Sequence, residues 1–170
     1  QDPETACKRF LCSQAVMLTL MGVPGIYFHS LFGSRSDHDG VKATGRYRSI
    51  NREKIDADTL LGELNDYRSI RHRVYEGYRR LLRARTGEPA FHPLGSQHIH
   101  DLHPGVFAVE RVAPDGVQRL LAVHNVRGET IHVDLPAGFR RWRNLIDGVE
   151  ETSTSIILWP YQVAWLKARS

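Results

Sequence analysis

The short run Ile26-Tyr27-Phe28 limits what this chain can fold into more than any other stretch. It is apolar without polar alternation, and Met21-Gly22-Val23-Pro24-Gly25 breaks the chain just before it. A strand that is apolar on both sides belongs in a parallel sheet covered by helices on both faces. Its neighbours in sequence supply no second strand of this kind. Pro3 to Leu20 reads as a helix, with Asp2 as N-cap, Pro3 at the first helical position, and Phe10, Leu11, Gln14, Ala15, Leu18 and Thr19 at helical spacing. After the strand, Ser30 to Lys54 is a long polar loop carrying Gly33, Gly40 and Gly45 among many charges. Loops of that length in compact domains are functional or disordered, and this one has no low complexity, so it reads as functional. Asp56 to Leu64 reads as a short helix capped by Asp56. Ser69 to Arg85 reads as a longer one with Val74, Tyr75, Tyr78, Leu81 and Leu82 on its apolar face. Helix, one buried strand, loop and two helices cannot close a core. Residues 1–92 therefore read as the end of a larger α/β fold.

Beyond Phe91 the pattern changes to short β-like runs and turns. Val106 to Val112, Gln118 to Asn125, Thr130 to Leu135, Phe139 to Leu145, Ser155 to Trp159 and Gln162 to Leu166 read as strands. Pro114-Asp115-Gly116, Arg127-Gly128, Pro136-Ala137-Gly138 and Asp147-Gly148 punctuate them. That spacing predicts an antiparallel β-sandwich over residues 93–170.

Hydrophobic residues at 41% and charged residues at 25% place the chain among ordinary globular proteins and exclude disorder. No apolar run approaches the roughly 20 residues of a membrane span. The formal charge of +4 permits an anionic partner. However, most of the stretch that holds the seven arginines from Arg68 to Arg85 is a predicted amphipathic helix, and they read as its solvated face, so nucleic acid is not expected. Cys7 and Cys12 are too few for a disulfide framework or a structural zinc site, and read as reduced thiols, which fits a cytoplasmic protein. His98, His100 and His103 have no accompanying ligand cluster and sit in the linker into the β region, so no metal is expected. Trp142, Trp159 and Trp165 suggest a sugar platform, but in a small β domain they read as core. Gln1 in place of Met reads as a chain that starts mid-protein or was processed.

Three stretches together resemble the end of an α-amylase-superfamily enzyme. Gly22-Val23-Pro24-Gly25-Ile26-Tyr27 resembles the run into the eighth strand of its (β/α)8 barrel. Tyr78 to Arg85 with Pro89-Ala90-Phe91 resembles the eighth helix and its exit, and Trp159 to Leu166 the last strand of the β domain called domain C. Arg48-Ser49-Ile50-Asn51-Arg52 resembles a motif of the sucrose phosphorylase-like branch, and Tyr27 to Arg35 the corresponding segment of its glucosylglycerate and glucosylglycerol relatives. The resemblance implies a TIM-barrel end over residues 1–92, domain C over 93–170, and glucose transfer from a small α-glucoside to inorganic phosphate without a cofactor. It also implies that the catalytic carboxylates precede Gln1, so this piece alone is expected to be inactive.

By the same resemblance, Arg48 grips the glucosyl unit together with an Asp from the start of the barrel. The alternative is one surface arginine among many. His29 is open to two readings, a contact to acceptor or phosphate and a structural hydrogen bond. Arg35 and Arg46 are candidates for phosphate or an acidic acceptor, and Asn51 and Arg52 for bracing the loop. His38-Asp39 reads as an exposed loop pair and Glu53 as a loop acid, not as catalytic groups. Rival readings are a hydrolase of the same superfamily and a stand-alone carbohydrate- or nucleic-acid-binding module. An exposed apolar surface is expected around Ile26 to Phe28.

Overall fold

The structure, a computed structural model, describes residues 2–169. They group into two compact units, Gln1–Pro24 with Arg80–Ser170, and Gly25–Arg79.

In the first unit, β1 (Ser96–His100), β2 (Val106–Val112), β3 (Arg119–Asn125), β5 (Arg141–Asn144), β6 (Glu150–Thr152) and β8 (Val163–Ala168) form one antiparallel sheet in the order β1-β2-β3-β8-β5-β6. A second sheet pairs β4 (Ile131–Asp134) with β7 (Ser155–Leu158). Val106, Leu121, Val123 and Leu166 from the large sheet meet Ile131, Val133 and Leu158 from the small one, with Phe139 and Trp142 completing the core. This is the antiparallel sandwich that the turn spacing predicts. The two strands the sequence did not announce, β1 and β6, are the edges of the large sheet. An edge strand buries little, so its side chains need no apolar alternation, and β6 is exposed at all three positions. His98 and His100 thus lie in an edge strand and not in a linker.

Helix α1 (Pro3–Thr19) starts where Asp2 accepts from the amides of Glu4 and Thr5, and it packs on β2 and β3. Its last carbonyls are buried and are met by two arginines. Arg85 donates to Leu18 O at 2.6 Å and Gly22 O at 3.1 Å, and Arg111 donates to Thr19 O at 3.0 Å. Arg111 also reaches His92 O and Ser96 O, so one guanidinium ties α1, the connecting segment and β1 together. Both cysteines are buried on α1 and neither forms a disulfide among the described residues, and burial pushes the Cys12 thiol up to about 11. Trp142 and Trp165 are core residues, but Trp159 is 64% exposed, on the turn after β7. That turn carries Tyr161 at φ 57°, the left-handed region.

The second unit holds α2 (Phe28–Leu31), α3 (His38–Thr44), a 3-10 turn over Tyr47–Asn51, α4 (Ala57–Asn65) and the first part of α5 (Ile70–Thr86). Two expectations are corrected here. Ile26 to Phe28 forms no strand: Tyr27 has extended dihedrals, but no described strand lies beside it to share a ladder. A backbone without a ladder partner satisfies itself locally, and the chain turns into α2. Ser30 to Lys54 is not structureless either. Asp37 caps α3, whose C-cap Gly45 adopts φ 64°, and the 3-10 turn follows directly. Among the described residues of this unit only Val74 and Tyr78 are buried. Tyr27 and Phe28 are each about half exposed, the apolar surface expected there.

Candidate functional site

The polar loop folds around two sets of contacts, both within the Gly25–Arg79 unit. The first holds the Arg48–Arg52 motif by its backbone. Tyr27 donates its hydroxyl to Asn51 O at 2.6 Å, and the Asp37 amide donates to Ile50 O at 2.7 Å. Thr44 Oγ1 and Ser49 Oγ are 2.9 Å apart, tying the end of α3 to the 3-10 turn. The backbone is pinned while the side chains face outward. Arg46 caps the 3-10 turn and Arg48 lies within it, both exposed, and neither guanidinium has a partner among the described residues. Asn51 and Arg52 are also exposed, and the bracing at this point runs through the carbonyls of Ile50 and Asn51, not through the side chains of Asn51 and Arg52.

The second set centres on Arg71, near the start of α5. Its Nε lies 2.7 Å from Glu63, its Nη2 3.2 Å from Glu53, and its Nη1 2.9 Å from Ser34 Oγ. The Arg71 side chain is only 14% exposed, while its two acids are about 40% exposed. One guanidinium therefore joins the beginning of the loop, its end and both following helices. Ser34 Oγ is also 3.1 Å from His29 Nδ1, which extends the network to the residue the sequence singled out. A cavity of about 550 Å³ opens beside Arg71, walled by Arg35, Asp37, Asp39, Glu53, Glu63 and Ser69 among others. Its acids outnumber its guanidiniums, four to two. A wall of that balance offers acceptors to hydroxyl groups and disfavours an anion. Arg35 borders this cavity; Arg46 and Arg48 are on the separate turn.

Residues excluded as catalytic by the sequence take ordinary roles with one exception. His38 and Asp39 are exposed in the first turn of α3, and Asp39 pairs with Lys42 at 3.1 Å. Glu53, read from sequence as a loop acid, belongs to the Arg71 network. Among the three histidines considered for a metal, His100 Nε2 lies 2.9 Å from buried Glu110, His98 packs edge-on against His100, and His103 Nδ1 accepts the Gly105 amide. Among the described residues, no group of three or more His, Cys, Asp or Glu side chains is arranged to hold a metal ion.

Arg71 and Ser34 were missed by the sequence reading, and for Arg71 a signal existed. Arg71, Val74, Tyr75 and Tyr78 are spaced i, i+3, i+4, i+7, so Arg71 continues the apolar stripe of α5. Arg85 extends the same stripe at its other end, and it is buried. A cation in register with a buried face is a candidate for an internal partner.

Comparison with known proteins addresses the whole chain. Glucosylglycerate phosphorylase of Spirochaeta thermophila is 38% identical over 179 aligned residues, covering 97% of this chain and 30% of the relative. The Escherichia coli protein of the same name is 36% identical, covering 96% of this chain and 29% of the relative. The trehalulose synthase MutB of Pseudomonas mesoacidophila superposes with a TM-score of 0.72 at 21% identity, over 95% of this chain and 38% of that one. The chain belongs to the α-amylase superfamily, glycoside hydrolase family 13. AmyP bound to maltotriose shows the same fold at a TM-score of 0.76 and 15% identity, over 96% of this chain and 35% of that one. The family 13 match lies in the C-terminal part of those enzymes, where a small β domain follows the helices. The chain spans about 30% of the length of the curated relatives it matches. No family model matches it. Among the described residues no helix is long and apolar enough to cross a membrane.

Proposed function

We propose that this chain is the C-terminal part of a retaining phosphorylase that transfers glucose from a small α-glucoside, of the glucosylglycerate type, to inorganic phosphate. The observation that carries the reading is the 38% identity to a glucosylglycerate phosphorylase across 97% of the chain. On this reading residues 1–92 close the barrel and residues 93–170 are domain C. A retaining transfer needs a nucleophile and an acid/base carboxyl about 5–5.5 Å apart across the scissile bond. Those groups belong to the part of the enzyme outside these residues, and no cofactor is required.

This part contributes donors. Arg48 is presented on a pinned turn with its guanidinium unpaired, as a group must be that waits for sugar hydroxyls and a carboxylate from elsewhere in the barrel. Arg46, two residues before it, is placed to meet an anionic acceptor or phosphate. The Arg71 cavity, richer in carboxylates, suits neutral hydroxyls better than anions, so Arg35 on its wall is the weaker phosphate candidate.

The test is an assay of the longer protein encoded by the gene, with glucosylglycerate as donor. Release of glucose 1-phosphate that depends on phosphate supports the reading. Release of free glucose without phosphate makes the enzyme a hydrolase. The 170-residue chain alone is expected to release neither. In the longer protein, Arg48→Lys is expected to raise KM for the donor about 10- to 100-fold, the cost of losing a charge-assisted forked contact.

A further inference from the structure

We infer that His29 is a fixed hydrogen-bond donor through Nε2, and that Ser34 and Arg71 are the positioning residues that fix it. The role of this donor toward a ligand rests on the proposed reading of His29 as a substrate contact; the state of the ring does not. The inference follows from counting protons. A guanidinium can only donate, so Arg71 Nη1, at 2.9 Å, fills one lone pair of Ser34 Oγ. Arg71 has no freedom to turn away, because its Nε and Nη2 are engaged by Glu63 and Glu53. Ser34 Oγ is left with one proton and one lone pair, and His29 Nδ1 stands 3.1 Å away.

Two arrangements fit that distance. In one, Nδ1–H donates into the remaining lone pair. The half-buried hydroxyl proton then has no protein acceptor, because no other side chain or carbonyl among the described residues bonds Ser34 Oγ. In the other, the hydroxyl donates to a bare Nδ1 and every group is satisfied. An unmade bond at a half-buried group costs more than the choice of tautomer, so the second arrangement holds. The imidazole proton is then on Nε2. The ring has little freedom to rotate: Tyr27 lies against it at 5.3 Å and Phe28 meets it edge-on at 5.4 Å. Nε2 itself has no protein partner among the described residues. What it offers is a single, oriented N–H, which suits an oxygen acceptor: a phosphate oxyanion or a sugar hydroxyl.

The test reads the ring directly. In the ¹⁵N-labelled chain, at a pH where imidazole is neutral, a long-range ¹H–¹⁵N spectrum is expected to show His29 with the Nε2–H tautomer favoured about tenfold or more, as one unmade hydrogen bond implies. Ser34→Ala and Arg71→Met should each collapse that preference to within about threefold, and Ser34→Thr, which keeps the hydroxyl, should retain it. Circular dichroism confirms that each variant is folded. A wild-type ring with the proton on Nδ1 overturns the inference, as does a ring indifferent to both Ser34→Ala and Arg71→Met. Inorganic phosphate and glucose are then titrated separately. Movement of the Nε2–H signal by phosphate alone assigns the donor to an oxyanion, and movement by glucose alone to a hydroxyl. Movement by neither overturns the ligand-binding half while leaving the tautomer in place. The phosphorolysis assay is independent of all these outcomes, so a failed enzyme reading and a failed His29 reading are told apart.

Discussion

Single residues in the β unit carry much of its definition, and two of them make measurable predictions. Arg111 is fully buried, and its partners are all backbone carbonyls: Thr19, His92 and Ser96. Burial lowers its pKa, yet the α1 C-terminus offers the negative end of a helix dipole to receive the charge. Arg111→Met removes the donors and leaves buried carbonyls unpaired. It is expected to cost about 3 kcal/mol, read as a lower denaturant midpoint. His124 is also fully buried. Trp165 Nε1 can only donate, so His124 Nε2 accepts it at 3.4 Å, and Nδ1–H donates to Phe107 O at 3.0 Å. Burial pushes its pKa down to about 4, against the bond to Phe107, which raises it. Above pH 6.5 the ring is neutral folded or unfolded and costs nothing. Below it the unfolded chain takes up a proton that the folded chain refuses until about pH 4. Stability therefore falls as the pH drops from 6.5 to 4, by about 3 kcal/mol from this group. Denaturation midpoints measured across that window should fall less steeply in His124→Gln than in the wild type. Equal slopes would show that His124 is not the group responsible. Neither role was legible in the sequence, where Arg111 and His124 look like polar interruptions of two apolar strands. What makes them structural is the carbonyl or indole opposite, and only the fold brings those near.

At the scale of elements, legibility followed burial and capping. Asp2 and Asp56 were readable as N-caps because a short acceptor before a helical pattern has a local job, and both side chains perform it. Strands β2 and β3 were readable because they are buried nearly throughout. The edge strands β1 and β6 were not, and neither was the helical content of the polar loop, because short elements held by caps leave no apolar period. The strand expected at Ile26 to Phe28 failed for the opposite reason. Its composition states a demand for neighbours, which the described residues do not meet. Glycines separate conformational need from packing need in this loop. Gly33 and Gly45 both have φ near 60°, but a Cβ on Gly45 would meet nothing within 4 Å, whereas one on Gly33 would lie 2.9 Å from Val74 Cγ2. Gly45→Ala is expected to cost about 1 kcal/mol for the left-handed backbone alone. Gly33→Ala should cost more, because Val74 is one of two buried residues in its unit and must shift. Thermal unfolding of the two variants side by side decides it, and equal losses would mean that the Gly33–Val74 contact is soft.

At the scale of the whole chain, the contrast is between a unit with a core and a unit nearly without one. The β unit encloses a continuous apolar cluster between two sheets, and Trp165 and Phe91 meet outside that cluster with tilted rings 4.8 Å apart. The Gly25–Arg79 unit buries Val74 and Tyr78 and is otherwise held by caps, the Arg71 network and short helices. Local stability tracks buried apolar contact, so the two units should open at different free energies. Native-state hydrogen exchange is expected to protect β2, β3 and β8 up to the global unfolding free energy, while amides from Gly25 to Asn65 exchange through smaller openings. Trypsin should agree, cutting first at Arg35, Lys42, Arg46, Arg48, Arg52 or Lys54, since each lies in that unit and all are exposed. The proposed function explains why such an imbalance is tolerated. Relatives are more than three times as long as the match, and on that reading the rest of the barrel covers Tyr27 and Phe28 and supplies the missing ladder. The same amides measured in the longer protein should then be as slow as those of the β unit. If the loop unit is as protected in the 170-residue chain as in the longer protein, its stability comes from contacts within the unit, with the Arg71 network the chief of them. Arg71→Met would in that case convert slow exchange into fast across the whole segment.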